Sequence, residues 1–477
     1  MQKVLSEGRD ILKIPEIAGL DAKKALIRIP PELDVPLTDR VRDLIDTWEF
    51  RRLSRICQLG FVPLVYPGAR HTRFEHSLGV YRLSLLVLKR LAHDPEFACL
   101  VRPEEAEMLI CAALLHDIGH FPCCHLIEDI KIPGLPHHEE VASHYIKDGE
   151  CAAILRTRWN QDPDDILSLL NKQVPERKIG ESDTEYERRR KVFHLLASIL
   201  SGPVDIDKMD YLFRDSLGAG VPYGKNFDID RLIGSLCLNR ERDGLALTEK
   251  GKTAAEMMVF ARYVMFSEVY WHHAVRSATV MFQKAFRILA PSKKEKSFVE
   301  SVLDLSDQAF YEHIRSEGMA GSEDSGKQQA IRLLDGIYGK VRKLYKRVRQ
   351  FSILEEPRLY HKLAGRPYSE LVQIADRMID LYNEAVPLPE KLESGAILID
   401  APPVDKEVEF KIDVYYPIGK NYRPLSEVSP VVRALAREQF DDYVKRVRIF
   451  SSPDCSSRLK KCDFLNSLLE KILEDEQ

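Results

Sequence analysis

Apolar positions recur at helical spacing through most of this chain. Leu37, Val41, Leu44, Ile45, Trp48, Leu53, Ile56 and Leu59 predict one long helix over LTDRVRDLIDTWEFRRLSRICQLG, ended by the Pro/Gly segment FVPLVYPGAR. HSLGVYRLSLLVLKRLA predicts a second helix. RPEEAEMLICAALLHD predicts a third: Pro103 falls near a first helical position, and Glu104 and Glu105 sit in the first turn, where carboxylates favour the exposed N–H groups. It runs to His116–Asp117 and stops at Gly119 and Pro122. From Cys151 to about Ala290 the pattern stays helical around a polar loop near 174–191, and 298–395 is mostly helical and charged. Residues 1–35 are mixed, with a strand expected at Ala25–Ile29. Near residue 395 the period changes to two. Val408, Phe410, Ile412 and Val414 alternate with Glu409, Lys411, Asp413 and Tyr415, a half-buried strand. KRVRIFSS predicts another strand, with a helix, SPVVRALAREQF, between them. The expected fold is mainly α: an N-terminal extension (1–35), a helical core (36–290), a helical extension (291–395) and a small α+β module with a tail (396–477).

Composition narrows the class. The chain has 477 residues, 44% hydrophobic and 30% charged, with a formal charge of −4, so no global field favours nucleic acid or a membrane. No uncharged apolar run approaches the length of a membrane span, and MQKVLSEGRDILKIPEI lacks the apolar centre of a signal peptide. The nine cysteines are odd in number and scattered, with Cys57, Cys99 and Cys111 inside apolar patterns. That usage predicts a reducing, cytoplasmic setting. The one strongly basic run, KVRKLYKRVRQ at 340–350, spaces Val341, Leu344, Tyr345 and Val348 as an amphipathic helix with a solvated basic face; nucleic-acid contact is the alternative.

The chemistry is concentrated. Nine of the fourteen histidines fall between His71 and His144. LLHDIGHFPCCH carries His116, Asp117, His120, Cys123, Cys124 and His125. The apolar run Leu109–Leu115 buries the helix that ends here, and a buried lone carboxylate is costly unless a cation neutralises it. His76, in HTRFEHSLGV, and Asp207, in GPVDIDKMDYLFRD, extend the set to two histidines and two carboxylates. Such a mixed N/O donor set suits Mn, Mg, Fe, Zn or Ni, and four protein ligands leave room for catalysis. Cys123–Cys124 lack the spacing that wraps a tetrahedral ion and read as packing residues. His120 stays open between a partner of the ligands and a satisfied loop histidine. His71 and His137 read as pocket-rim residues, and His272–His273 as part of a helix packed on the core.

The order His76, His116–Asp117, Asp207 resembles the HD-domain phosphohydrolases. PGARHTRFEHSLGV, CAALLHDIGH, LPHHEE and VDIDKMDYLFRD extend the likeness to the deoxynucleoside triphosphate triphosphohydrolases related to the SAM-and-HD-domain protein and to their bacterial HD relatives. The resemblance covers about 35–290, making 36–290 an HD phosphohydrolase domain. It implies His76, His116, Asp117 and Asp207 as ligands of a divalent metal. It implies Arg73 and Lys208 as phosphate contacts, Gln58 and Leu59 as sugar contacts, Tyr211 at the ribose 2′ position and Asp215 on the 3′-hydroxyl. It implies His125 as the catalytic acid, with the pair His138–Glu139 as second choice. The chemistry is coherent. Arginine and lysine answer triphosphate charge, a histidine paired with a carboxylate protonates the leaving 5′-oxygen, and a packed tyrosine excludes a 2′-hydroxyl. The implied activity is hydrolysis of a dNTP to deoxynucleoside and inorganic triphosphate. The alternatives are an HD phosphohydrolase for a monophosphate, cyclic nucleotide or other phosphoester, and a nucleic-acid-binding or regulatory protein. The resemblance also implies a homo-oligomer, dimer or tetramer. A guanine-nucleotide activator would use Asp46, although Ser54 stands where that site has an arginine and Arg55 is adjacent. The eukaryotic enzymes place a nucleotide-contacting arginine and tyrosine on the helix around 265–280, where Val269 and Ser277 align here.

Overall fold

The computed structural model describes residues 10–22, 24–132, 135–290, 301–320, 324–402, 411–435 and 444–475. A short helix, Pro15–Gly19, and a hairpin of β1 (Leu26–Ile29) and β2 (Leu33–Pro36) precede the longer helices. The predicted long helix over 37–59 is broken in two. α1 (Asp39–Ile45) is capped by Thr38, and α2 (Trp48–Arg51) starts afresh because the Thr47 hydroxyl accepts from Phe50 N; a 3₁₀ turn, Arg52–Arg55, follows. α3 (Arg73–Leu91) and α4 (Pro103–Leu115) form the predicted second and third helices and pack together. Pro103 opens α4, and Glu105 reaches back to Arg102 N at 2.9 Å. Then come α5 (Cys124–Glu128), α6 (His138–Asp148), α7 (Pro163–Leu170), α8 (Asp183–Ser201) and α9 (Ile206–Ala219).

The mainly helical class is the observed one, but sheet enters earlier than the hydrophobic pattern predicts. β3 (Leu236–Leu238) and β4 (Leu245–Thr248) form a hairpin inside the stretch expected to be all helix. α10 (Lys252–Met265), α11 (His273–Leu289) and α12 (Ser325–Tyr338) follow. The basic run is not an amphipathic helix: residues 346–351 form β5 (Lys346–Phe351). Val348 and Phe351 are buried, and Arg349 donates to the carbonyls of Leu459 and Cys462 at 3.3 and 2.6 Å, so part of the run's charge is spent inside the protein. α13 (Tyr368–Ala385) precedes β6 (Ile397–Asp400), β7 (Asp413–Tyr416), β8 (Asn421–Pro424) and β9 (Val447–Ser451). The chain ends in α14 (Pro453–Lys460) and α15 (Leu465–Asp475). Val408 and Phe410, and residues 436–443 of the expected helix, lie outside the described residues; Pro430–Ala434 is helical.

Neither sheet respects a boundary at 395. One has the order β3-β4-β7-β8, with β4 and β7 parallel through Leu247↔Val414; the other has the order β5-β9-β6, all antiparallel. Two cores result. The larger holds α3, α4, α8, α9 and α11; the smaller joins Phe351, Ile374, Met378, Ile397, Ile449, Leu459 and Leu469.

Candidate active site

The site begins with a buried helix. Leu109 to Leu115 are fully inaccessible to solvent, and α4 ends on His116, which delivers its ring at a helix terminus. Two glycines let neighbours close in. A Cβ on Gly79 of α3 would collide with Asp210 and Arg214 of α9, and a Cβ on Gly119 would collide with the His138 carbonyl. Bare backbone at these positions allows α9 to close on α3 and α6 to close on the turn after α4. Arg52 braces that turn from below. Its guanidinium is fully buried, donates to the carbonyls of Ile118 and His120, and lies 4.3 Å from the Tyr145 ring. Burial lowers its pKa without a carboxylate hydrogen bond to offset it.

His76 and His116 meet Nε2 to Nε2 at 3.1 Å. The other nitrogen of each is committed. His116 Nδ1 donates to the Ala113 carbonyl at 2.9 Å, and His76 Nδ1 donates to Asp210 at 2.9 Å. Asp210 is ionised, since burial opposes but the bidentate Arg214 guanidinium, at 2.8 Å on both oxygens, holds its carboxyl down at about 2. The two Nε2 atoms therefore face one another, and they either share a proton or both bind one cation. Asp117 Oδ1 lies 3.6 Å from His116 Nε2, and Asp207 Oδ1 lies 3.1 and 3.8 Å from the two histidines. Ligand bonds of about 2.1 Å place neighbouring donors about 3.0–3.4 Å apart, so these residues fit one divalent ion. The donor atoms of His76, His116 and Asp117 all lie within 4.8 Å of one another; Asp207 approaches from the histidine side, its side chain one-third exposed at 34%. Burial disfavours charge on His76, yet its hydrogen bonds to Asp207 and Asp210 outweigh this and raise it to about 10. The pocket demands positive charge. Asp117 is held well below the usual carboxylate range despite burial, by His120, Arg73, His116 and His76 around it.

A second imidazole group adjoins the first. His120 Nε2 faces His125 Nε2 at 3.1 Å, and the His120 and His138 rings lie 4.2 Å apart. Glu128 binds both outer rings: Oε2 to His125 Nδ1 at 3.1 Å, and Oε1 to His138 Nδ1 at 2.9 Å and to the His138 amide at 2.8 Å. Burial would raise the Glu128 carboxyl, but these histidines push it far down; conversely Glu128 raises His138 against its burial. The expected pair His138–Glu139 is close in space, but a second carboxylate makes the shorter contacts. Glu139 lies 3.5 Å from His138 Nδ1 and is half exposed, while the carboxylate that organises the ring is Glu128, ten residues earlier in the chain.

These groups line a cavity of about 1030 Å³ that also holds Gln58, Arg73, Glu139, Tyr211 and, towards the mouth, Lys147, Asp164 and Lys172. The matches to known proteins fall on the same elements. The HD domain matches residues 73–180, and the HD associated region matches residues 227–463. The chain is an HD-domain protein in which the HD domain is followed by an HD associated region. The uncharacterized protein YwfO of Bacillus subtilis is 35% identical over 271 residues, 56% of either chain. The uncharacterized protein MJ1154 of Methanocaldococcus jannaschii is 29% identical over 402 residues, 84% of this chain and 76% of that one. The deoxynucleoside triphosphate triphosphohydrolase SAMHD1 of Danio rerio is 28% identical over 261 residues, 51% of this chain and 41% of that one. The chain thus spans about half the length of the Bacillus relative and less of the fish enzyme. Among solved structures, a hypothetical protein from Aquifex aeolicus superposes with TM-score 0.65 at 26% identity, covering 91% of this chain and 98% of that one. A phosphohydrolase from Bacteroides thetaiotaomicron shares the fold, with TM-score 0.64 at 22% identity over 89% and 99% of the two chains.

Within the HD site, several expected residues are placed differently. Arg73 is on the wall but spends one amino group on Asp117 Oδ2 at 2.8 Å. Lys208 turns away, to Asp205 at 2.5 Å and the Gly202 carbonyl at 3.0 Å, and does not line the cavity. Leu59 lines a smaller adjoining space of about 160 Å³ with Gln58, His125, Tyr270 and Arg276. Asp215 is buried behind the wall, its oxygens taken by His71 Nε2 at 2.9 Å and Tyr270 Oη at 2.6 Å. His71 is therefore an inner partner, not a rim residue. Val269 is fully buried and Ser277 donates to the Tyr345 carbonyl at 2.8 Å; the tyrosine and arginine that reach the pockets are their neighbours, Tyr270 and Arg276. His272 caps α11 by accepting from Ala274 N, and neither it nor His273 lines the cavity. All nine cysteines are free thiols, and no described helix is long and apolar enough to cross a membrane.

Proposed function

We propose that this HD phosphohydrolase hydrolyses deoxynucleoside triphosphates to deoxynucleoside and inorganic triphosphate. The observation that carries the reading is a buried, unpartnered Gln58 Oε1, in the cavity that Tyr211 shares with the histidine–aspartate cluster. A sugar hydroxyl there would satisfy an acceptor that otherwise bears a desolvation cost.

His76, His116, Asp117 and Asp207 would hold a divalent ion, which when bound would supply positive charge to the phosphate and lower the pKa of a water. Arg73, anchored on Asp117 through one amino group, offers its remaining donors to phosphate oxygens. Water forms a bond to the α-phosphorus and gives up a proton to solvent as the bond to the 5′-oxygen breaks, and the departing oxygen takes the proton from His125 Nε2. Glu128 on Nδ1 fixes the ring with Nε2 outward, and His120 Nε2, an acceptor because its Nδ1 lies 3.2 Å from the Asp117 carbonyl, holds the proton before transfer. Tyr211 narrows the sugar end of the cavity. A second reading, hydrolysis of another nucleotide or phosphoester, has one observation in its favour: Asp215 already spends both oxygens on His71 and Tyr270.

Each dNTP and NTP is to be incubated with the protein and Mn²⁺ or Mg²⁺ and the products separated by chromatography. Triphosphate plus deoxynucleoside from dNTPs alone is the expected result. Pyrophosphate or monophosphate products would sink the reading, and turnover of nucleoside monophosphates or cyclic nucleotides would favour the second.

A further inference from the structure

The second imidazole group repeats the logic of the first. His120, His125 and His138 each commit Nδ1 to an oxygen acceptor, the Asp117 carbonyl for the first and Glu128 for the other two. Two of the remaining nitrogens, His120 Nε2 and His125 Nε2, converge at 3.1 Å. Cys124 completes the group. Its thiol is buried at the first turn of α5, where Cys123 adopts a left-handed conformation with φ 56° that swings the chain into the helix. Cys124 Sγ lies 3.4 Å from Glu128 Oε1, and the donor atoms of His120, Cys124, His125 and His138 all lie within 4.8 Å of one another. Histidine rings held by a carboxylate on the far nitrogen are the usual support of a metal ligand.

We propose that His120, Cys124, His125 and His138 form a second cation site, selective for a soft divalent ion of the zinc class, whose occupation shuts off hydrolysis. Three imidazoles and one thiolate suit Zn²⁺ or Co²⁺ and not Mg²⁺. Burial pushes the Cys124 thiol up, so only an ion that binds sulfur strongly displaces its proton. On binding, the Cys124 proton and any proton on the coordinating nitrogens of His125 and His138 pass to water while bonds form from Sγ and the three ring nitrogens to the ion. The ion would occupy the gap between His120 Nε2 and His125 Nε2. The binding claim stands on these residues alone, whereas the shut-off rests on His125 as proton donor.

Full-length protein freed of metal is to be titrated with Co²⁺, with bound metal and the thiolate-to-cobalt absorption followed together. A second equivalent should bring a charge-transfer band that Cys124→Ser and Cys124→Ala both lack. His116→Ala should lose the other equivalent and keep the band. In the Mn²⁺-loaded enzyme, saturating Zn²⁺ should lower turnover about a hundredfold or more, the range of a lost general acid, and spare Cys124→Ser. A single equivalent, or a band that survives Cys124→Ser, overturns the site. Zinc inhibition that persists in Cys124→Ser assigns the ion to the His76 cluster and also overturns it. Failure of the dNTP assay itself leaves the band and the stoichiometry readable.

Discussion

Glu128 shows how much one carboxylate organises. It fixes two rings, and neutralising it keeps the shape while removing the charge that raises His138. Glu128→Gln is expected to lower kcat by about tenfold to a hundredfold with the metal content of the His76 cluster unchanged, checked by steady-state kinetics beside metal analysis. His116→Ala or Asp207→Ala should lose metal and activity together; full activity in either would remove the cluster from the reaction. Tyr211→Ala should let ribonucleotides in, read as the ratio of kcat/KM for a dNTP and its NTP. His76, His116, Asp117 and Asp207 were legible because burial of a carboxylate beside histidines has few solutions. Glu128 was not. The family resemblance paired His138 with Glu139, and no spacing or motif singled out Glu128, three residues beyond His125. Likewise Tyr270 and Arg276 sit one position from the residues that the sequence comparison selected.

At the level of elements, Gly79 is the narrowest passage. Any side chain there meets the Asp210–Arg214 pair that holds His76. Gly79→Ala is expected to cost about 1–3 kcal/mol, measured by denaturant unfolding. It should also weaken metal binding roughly tenfold or more by shifting Asp210 away from His76. The break between α1 and α2 escaped the hydrophobic pattern for a physical reason. Val41, Leu44, Ile45 and Phe50 all enter one core, so the apolar spacing runs on across the cap at Thr47. The run at 340–350 deceived in the opposite way. Its apolar spacing fits a helix, but β9 offers a full antiparallel partner and the smaller core takes Val348 and Phe351. Tertiary pairing overrides local periodicity there.

At the scale of the whole molecule, an ion pair links the β5-β9-β6 sheet to the site. Asp400 of β6 binds Arg276 of α11 at 2.6 Å, and Arg276 shares the small space beside Gln58 and His125. Asp400→Asn leaves buried positive charge from Arg276 and Arg448 poorly compensated and should destabilise the fold by roughly 3 kcal/mol or more, seen as a lower denaturation midpoint. Metal removal acts at the same scale. With an ion at about a hundred times its Kd, binding adds about 2.7 kcal/mol to stability. Chelation should therefore lower Tm and abolish turnover, with both restored on adding the ion back. The helical class and the helices bearing the ligands could be read from periodicity. The assembly of the sheets could not, because LCL and LALT at 236–248 are too short to separate from buried helix.

The parallel pairing of β4 with β7 sets a schedule for the newborn chain. β4 is made early and its partner late, and at about 5–20 residues per second the interval on a ribosome is on the order of ten seconds. Throughout that time the strand carrying Leu245 and Leu247 has one edge unmatched, in a region already rich in apolar surface. A gene cut anywhere between the two strands would make that interval permanent, so the catalytic half of this protein should need its distant end in order to stay in solution.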